Sequence, residues 1–536
     1  MLCLLLAACG GGGDAPVAPA QAAGDGLPPA VGNTRFAASR DFAHQCAAPR
    51  PAGSIDAYTG VVYNDAPGSV ATELQWVRSF VNETYLWFDE VPAIDLARYV
   101  VGATVPHYDP ASNLRSERTL SDAASVVEEF FNSQRTLATT PSGRPKDQFH
   151  FTYTTQEWSA LSQAGASVGF GFETALLART RPRNIVVAYV TPGTPAAANQ
   201  LARGAVFLTV NGVDVVDGTD AAAINEALFS PVAGKSYSFT VRDAGSSVPR
   251  SFSMAPTMLS SVPVQNVQVL PTPTGSVGYL LFNDHIATAE APLIAAVNQF
   301  NAANDGAGIR DLVLDIRYNG GGFLDLASEL AFMVAGRTAT AGKTFERIST
   351  NRKNPFGNRA DTPFFDTASA FASSSGQPLP QLNLARVYVI TSSGTCSASE
   401  AVINALRGIG VDVIQIGTAT CGKPYGFFPK ENCGTTYFTV QFKGVNEVGY
   451  GDYADGFTPT PGTQPNNLPG CEVADDFSRQ LGDVMEGRLA AALQYRSNGT
   501  CPQAPAAKRA GAFGGATGEP TLVRSPLREN RWLRSR

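Results

Sequence analysis

Three short stretches carry residue types that together could break an amide bond. The first is SSGTCSASEAVINAL, residues 392–406, in which Ser397 and Glu400 stand three apart at the start of an apolar helical pattern. That spacing is a capping box, in which a serine and a glutamate close the orphan N–H groups of a first turn. It is also a way to present a nucleophilic serine, because a helix start offers free N–H groups and a dipole that favours developing negative charge. The N–H of Ala398 would then point to where an oxyanion forms. Local sequence admits both readings.

A serine hydroxyl is a weak nucleophile and needs a neighbouring base. No histidine follows His285, so within this half of the chain lysine is the remaining choice. Lys423 lies in GTATCGKPYG, directly after the apolar run VDVIQIG. A strand running into a loop at the C-terminal edge of a sheet is where α/β sites form. The plainer reading is a surface lysine in a turn. To serve as a base the amine must be neutral at pH 7, a change of about 3 pH units or roughly 4 kcal/mol, which burial can supply. The third stretch is LDIRYNGGGF, residues 314–323. Its three glycines let backbone approach a ligand closely, and their N–H groups can serve as an oxyanion hole. Neither GxxxxGK[ST] nor GxGxxG is present, so a phosphate cradle is the weaker alternative.

The elements that must position these stretches form a repeating order. SVGYLLFNDH, the start of RDLVLDIRYNGGG, ARVYVITSSG and VDVIQIGTA read as strands. TAEAPLIAAVNQFNAA, FLDLASELAFMVAG and the stretch after Ser397 read as helices. Strands alternating with helices imply an α/β fold with a mostly parallel sheet. DDFSRQLGDVMEGRLAAALQY reads as a last helix. Upstream, ATELQWVRSFVNETYLWFDEVP places Leu74, Val77, Phe80, Val81 and Tyr85 at helical spacing, and SDAASVVEEFFNSQ adds a helix capped by Ser121 or Asp122. Between these regions, VGFGFETALL, NIVVAYVTPGTPAAANQL, GAVFLTVNGVDV and GKSYSFTVRDAG carry strand signals, with VNGV a tight turn. APTMLSSVPV reads as a linker.

At 536 residues the chain exceeds one ordinary domain. The expected divisions are a signal peptide at 1–8, a tether and irregular segment at 9–65, a small helical domain at 66–165, a β-rich domain at 166–258, the α/β core at 259–500 and a basic, mobile tail at 501–536. A net charge of −6 gives no reason to expect nucleic-acid binding. After the N-terminus there is no apolar run of about 18 residues, the length a spanning helix needs.

The opening MLCLLLAACGGGG resembles a bacterial lipoprotein signal, with Leu6, Ala7 and Ala8 ahead of a lipidated Cys9. No Lys or Arg precedes the apolar run, although signal peptides usually carry a basic start. The resemblance implies a membrane anchor through Cys9, in the cell envelope on the periplasmic side of the outer membrane. With Cys3 removed and Cys9 lipidated, Cys46, Cys396, Cys421, Cys433, Cys471 and Cys501 remain. An even number in an exported chain suggests disulfides, and six cysteines allow fifteen connectivities. Cys396–Cys421 and Cys421–Cys433 both stand as possible pairs. There is no CxxC and no HExxH, and His44, His107, His150 and His285 are scattered, so no metal and no cofactor are expected.

Taken in order and spacing, DIRYNGGG, SASE and the GK that follows Ser397 resemble the C-terminal processing peptidases, also called tail-specific proteases, over about residues 70–500. The resemblance implies a ClpP/crotonase-like peptidase core for 259–500 and a PDZ-like domain for 166–258. It implies a serine endopeptidase with Ser397 as nucleophile, Lys423 as general base, and the amides of Gly321 and Ala398 as oxyanion hole. Glu400 would support the site and Ser399 would be structural. The backbone of Gly169, Phe170, Gly171 and Phe172 would receive the C-terminal carboxylate of a protein or peptide substrate, held as an added strand. The chain departs from the family at Phe427, where a glutamine is frequent, at Pro424 in place of glycine, at Gly320 in place of proline, and by one residue more between Ser397 and Lys423. Two rival readings follow: a non-catalytic peptide-binding protein on a peptidase-like core, and a peptidase with His285 as base.

Overall fold

The inner strands between residues 277 and 417 are buried almost continuously rather than alternately, as strands covered on both faces require, while VQNVQVL and GCE at the two edges are partly polar. In the computed structural model they pair into one six-stranded sheet in the order Val264–Leu270, Val277–Phe282, Asp311–Asp315, Arg386–Thr391, Asp412–Gly417 and Gly470–Glu472. The structure describes residues 36–503, apart from 110–113, 356, 358, 370 and 372–374, together with the strands 521–523 and 531–532. The first pair of this sheet is antiparallel and the other four pairs are parallel. Helices Glu290–Ala302, Leu324–Thr340 and Ala398–Gly408 return the chain between parallel neighbours. One face of the sheet buries Leu280, Leu312, Leu314, Val387, Val389 and Val413. The opposite face buries Tyr279, Leu281, Val313, Tyr388, Ile390 and Ile416.

The expected fold class requires correction. The chain is an α/β protein with several sheets whose strand pairings are mostly antiparallel, not a mostly parallel ClpP/crotonase-like fold with separate PDZ-like and N-terminal helical domains. Among the described residues, parallel pairing outside these four junctions is confined to two pairs of two-residue strands and two isolated bridges. The physical cause is local return of the chain. At Asn211–Gly212, both residues have positive φ, which suits a tight hairpin between Val206–Val210 and Val213–Asp214. Such turns produce antiparallel neighbours, whereas parallel neighbours need a longer crossover, usually a helix.

The N-terminal helices form as their spacing predicts. Val70–Thr84 is capped by Ser69, which accepts the Thr72 N–H at 3.2 Å, and Leu74, Val77, Phe80, Val81 and Tyr85 are buried. Asp122 caps Ala123–Ser133, accepting the Ser125 N–H at 2.7 Å. These helices are not an independent unit. They share one buried cluster with the central sheet, Phe151–Thr154 pairs with Thr435–Phe438, and Cys46 is bonded to Cys433.

Residues 166–258 build an antiparallel sheet around Phe170, Leu176, Ile185, Phe207, Ile224 and Phe239. This sheet is not closed within those residues, because Thr521–Val523 joins its edge. The expected linker is also partly structured: Thr257–Ser260 pairs with Ala166–Gly169. The last helix is shorter than expected, running only Gly487–Asn498, since Glu486 caps it by accepting the Leu489 N–H at 3.0 Å. Among the described residues no helix is long and apolar enough to cross a membrane.

Candidate active site

The strand Asp311–Asp315 delivers the glycine loop, and two hydroxyls tie that loop to the chain leading into Ser397. Thr395 Oγ1 donates to the Ile316 carbonyl at 2.9 Å, and Ser392 Oγ donates to the Arg317 carbonyl. One turn on, the Asn319 carbonyl accepts both the Cys396 N–H at 3.1 Å and the Ser399 hydroxyl at 2.9 Å. Ser399 therefore clamps the helix start to the glycine loop. The Asn319 side chain, fully buried, holds the loop from inside: its Nδ2 donates to the Phe282 carbonyl at 3.0 Å and its Oδ1 accepts the Gly321 N–H at 3.0 Å. Gly322 has φ 134°, and a Cβ there would lie 2.2 Å from the His285 carbonyl oxygen, so only glycine fits.

Ser397 is buried and holds φ 60° and ψ −112°, a backbone region that non-glycine residues rarely occupy. It immediately precedes the helix Ala398–Gly408. Glu400, fully buried in the first turn of that helix, gathers four donors. Its Oε2 accepts the N–H groups of Ser397 at 2.9 Å and Lys423 at 2.8 Å, and its Oε1 accepts Thr420 Oγ1 at 2.5 Å and the Gly422 N–H at 2.9 Å. Burial pushes this carboxyl up, against the pull of those donors. One oxygen thus holds the backbones of both residues expected to react.

Two further ties join the same segments. Cys396 is bonded to Cys421, which leaves Cys421–Cys433 excluded, and the Cys421 N–H donates to the Thr395 carbonyl at 3.0 Å. Gly422 has φ 84° with the Ala454 carbonyl oxygen 2.2 Å from where a Cβ would stand, so the residue before Lys423 must be glycine. Cys396, Glu400 and Cys421 also have the proximity of metal ligands, but both sulfurs are in the disulfide.

Lys423 is fully buried, its Nζ 4.3 Å from the Phe149 ring centroid and 4.4 Å from that of Phe427. Phe427, where the resembling family often has a glutamine, thus forms one wall around the lysine. The other wall, Phe149, comes from the N-terminal region. Asp147 belongs to the same surroundings. Burial pushes its carboxyl up, while the Tyr85 hydroxyl at 2.6 Å, the Phe149 N–H at 2.8 Å and the charges of Arg135 and Lys423 act in the opposite direction. Arg144 donates to the carbonyls of Cys421 at 3.1 Å and Ala454 at 2.6 Å. No local motif marks Asp147, Phe149 or Arg144, which lie more than 250 residues before the loop they support.

His285 lies beside the glycine loop. Its backbone N–H donates to the Gly321 carbonyl at 3.0 Å, its Nδ1 faces Asn319 Oδ1 at 2.9 Å, and burial pushes it down to about 4. It is neutral at pH 7 and braces Asn319 and Gly321. Gly169 ends the strand Ala166–Gly169 and Phe172 begins Phe172–Ala178. Between them, the carbonyls of Phe170 and Gly171 accept the N–H groups of Ala196 at 2.9 Å and Thr191 at 2.7 Å, and a Cβ on Gly171 would lie 2.2 Å from the Thr194 side chain. Cys9 lies outside the described residues.

Glu400→Gln tests the clamp. An amide has one accepting oxygen and one donating nitrogen, so in either orientation two of the four donors face an NH2 group. An unmet buried donor costs about 1–3 kcal/mol. The expected result is a fall in kcat of about 10- to 100-fold with KM little changed, read from steady-state peptide hydrolysis. Unchanged kcat would show that the carboxylate does not position the pair.

Residues 276–432 match the model of Peptidase family S41. No curated protein matches the chain. Among solved structures, the chain is similar to a protein from Bacteroides fragilis NCTC 9343 assigned to the S41 proteases, at 24% identity and a TM-score of 0.54, with 79% of this chain and 97% of that one covered. It is also similar to the photosystem II D1 C-terminal processing protease, at 19% identity and a TM-score of 0.42, with 79% and 100% covered. Only the first superposes well enough to speak for the fold. Residues 276–432 form a domain homologous to peptidase family S41, a match that supports serine-type endopeptidase activity.

Proposed function

We propose that Ser397 and Lys423 form the catalytic dyad of an endopeptidase that recognises its substrates near their C-termini. The observation that carries this reading is the shared oxygen of Glu400, which holds the N–H groups of both residues while the disulfide Cys396–Cys421 fastens the two loops. Lys423, out of contact with water, takes the hydroxyl proton as Ser397 Oγ attacks the scissile carbonyl carbon. The negative charge moves to the carbonyl oxygen, where the amides of Ala398 and Gly321 receive it. For this the Gly321 N–H exchanges its bond to Asn319 Oδ1 for one to the oxyanion. The C–N bond then breaks as the Lys423 ammonium gives its proton to the leaving amine. Water, giving a proton to Lys423, attacks the acyl ester; the ester bond breaks and the proton returns to Ser397 Oγ.

Recognition of the C-terminus falls to Gly169, Phe170, Gly171 and Phe172. Successive backbone N–H groups in such a turn suit a carboxylate, and the strand beginning at Phe172 suits an added peptide strand. The Cys9 signal supports attachment to the envelope membrane, with substrates that are envelope proteins or peptides. The test is digestion of one peptide in two forms, with a free and with an amidated C-terminus, Ser397→Ala serving as the blank. The free form should be cleaved with a kcat/KM about tenfold or more higher, since charged hydrogen bonds contribute about 1.5–3 kcal/mol. Equal cleavage would overturn C-terminal recognition and leave the dyad standing.

A further inference from the structure

We propose that the chain carries an internal occupant of its own substrate path, the backbone of residues 521–523 and 531–532. The reading rests on the dyad and the peptide-binding strand proposed above. Thr521–Val523 pairs antiparallel with Phe172–Ala178, in the register Thr521 to Leu176, Leu522 to Ala175 and Val523 to Thr174. It is the outermost strand of that sheet, and Phe172–Ala178 would otherwise be the edge. The same edge begins at the Gly169–Phe172 turn, so the tail lies where an added substrate strand would lie.

The second contact is at the other end of the path. Arg531–Trp532 pairs parallel with Gly322–Phe323, in the register Arg531 to Gly322 and Trp532 to Phe323. Gly322 follows the proposed oxyanion glycine directly. The same tail strand lies against Tyr425–Gly426, which begins two residues after Lys423. Backbone from the far C-terminus therefore stands between the loop that would hold the oxyanion and the loop that carries the base. One chain direction serves both contacts: the tail first meets the recognition edge and then, eight residues on, the catalytic cleft.

An unpaired edge strand is also a hazard for aggregation, and a tail can serve as a fixed cover for it. The two roles differ in what a peptide does. A tail that merely covers is indifferent to substrate, whereas an occupant competes with it. Because the tail is tethered, its effective concentration is high, so displacement raises the substrate concentration needed without changing the chemistry.

The experiment uses the full chain with Leu522→Pro and Val523→Pro together, and separately Arg531→Pro and Trp532→Pro together. Adjacent prolines ensure that at least one removes an N–H that a ladder needs. Because proline variants can misfold, a third form carries a site-specific protease sequence between residues 510 and 511 and is cut after folding. Freeing the tail should lower KM for a peptide substrate about tenfold with kcat unchanged, and a synthetic peptide of residues 519–536 should restore the higher KM competitively. Labelled 519–536 should bind the freed forms at least tenfold more tightly than the intact chain. The binding assay is repeated on Ser397→Ala, which needs no turnover, so a chain that cleaves nothing refutes the dyad while the tail's competition is still measured. Unchanged KM, or no binding of 519–536 to any freed form, overturns the proposal in favour of a fixed cover.

Discussion

Replacing Ser397 by alanine will reduce peptide hydrolysis by about 10⁴-fold or more, the scale on which removal of a covalent nucleophile acts, while leaving the fold in place. The change removes only the hydroxyl. The backbone N–H that Glu400 accepts remains, as do the disulfide at Cys396 and the clamp from Ser399 to Asn319. Lys423→Met should match this loss, because methionine keeps the unbranched stem between the Phe149 and Phe427 rings and loses the amine. The double variant should be no slower than either single one, since residues that act as a unit are not additive. His285→Gln should cost far less, about 10- to 100-fold, because the ring only braces the Asn319 side chain, the backbone bond to Gly321 remains, and the proposed base is Lys423. Steady-state kcat/KM and a thermal melt on each variant decide the matter. Residual turnover within tenfold of the parent for Ser397→Ala would remove Ser397 from the mechanism, and a complete loss in His285→Gln beside an active Lys423→Met would transfer the base.

What sequence reading could reach was whatever is local. The Ser397–Glu400 spacing, the glycines after a buried strand and the apolar face of Val70–Thr84 each lie within a few turns of chain, and the structure contains all three. The carboxylate that closes the first turn by accepting the Ser397 N–H also accepts the Lys423 N–H, so one cap ties the two stretches together. Long-range partners left no local mark. Asp147 and Phe149 reach Lys423 because Phe151–Thr154 pairs with Thr435–Phe438, and no periodicity in either strand announces the other. The N-terminal helices therefore read as a domain of their own, although their apolar faces complete the common core. The mostly parallel sheet was an extrapolation from helix–strand alternation, and it failed where hairpins and short edge strands outnumber the crossovers. The last helix was overextended because the Asp475–Glu486 stretch looks helical in composition, yet Asp475 and Glu486 are committed to buried arginines.

That commitment sets the second large effect: Arg317→Met should destabilise the protein by about 3–5 kcal/mol near pH 7, the usual result of removing one partner from a buried ionic cluster. Arg317 is fully buried. Its Nε and Nη2 donate to Asp315 at 3.0 and 2.8 Å, and its Nη1 to Asp475 and Glu486, each at 2.7 Å. Arg203 donates to Asp475 from another side at 2.7 Å, and Tyr318 donates to it as well. Burial alone pushes Asp475 up, but Arg203, Arg488 and Arg317 outweigh it and hold the carboxyl far below the usual range. Glu486 is likewise pushed up by burial and held below its ordinary value by Arg317. Carboxylates depressed in this way contribute stability that is present above their unfolded range, near pH 4, and is lost as pH falls through the folded value. Without Arg317 the orphaned carboxylates rise and take up protons on acidification. The gap between parent and variant should therefore be widest near pH 8 and narrow as pH falls toward 4, measured by thermal melts across that range. Arg317→Lys should restore little, because one ammonium cannot supply the planar fork that engages Asp315 and Glu486 together. Activity should fall with stability in both variants, since the Arg317 carbonyl receives the Ser392 hydroxyl and the loop onward to Gly321 starts from it. A gap that stays constant with pH, or a loss below about 1 kcal/mol, the scale of an exposed ion pair, would mean that the cluster does not anchor the catalytic loop by charge.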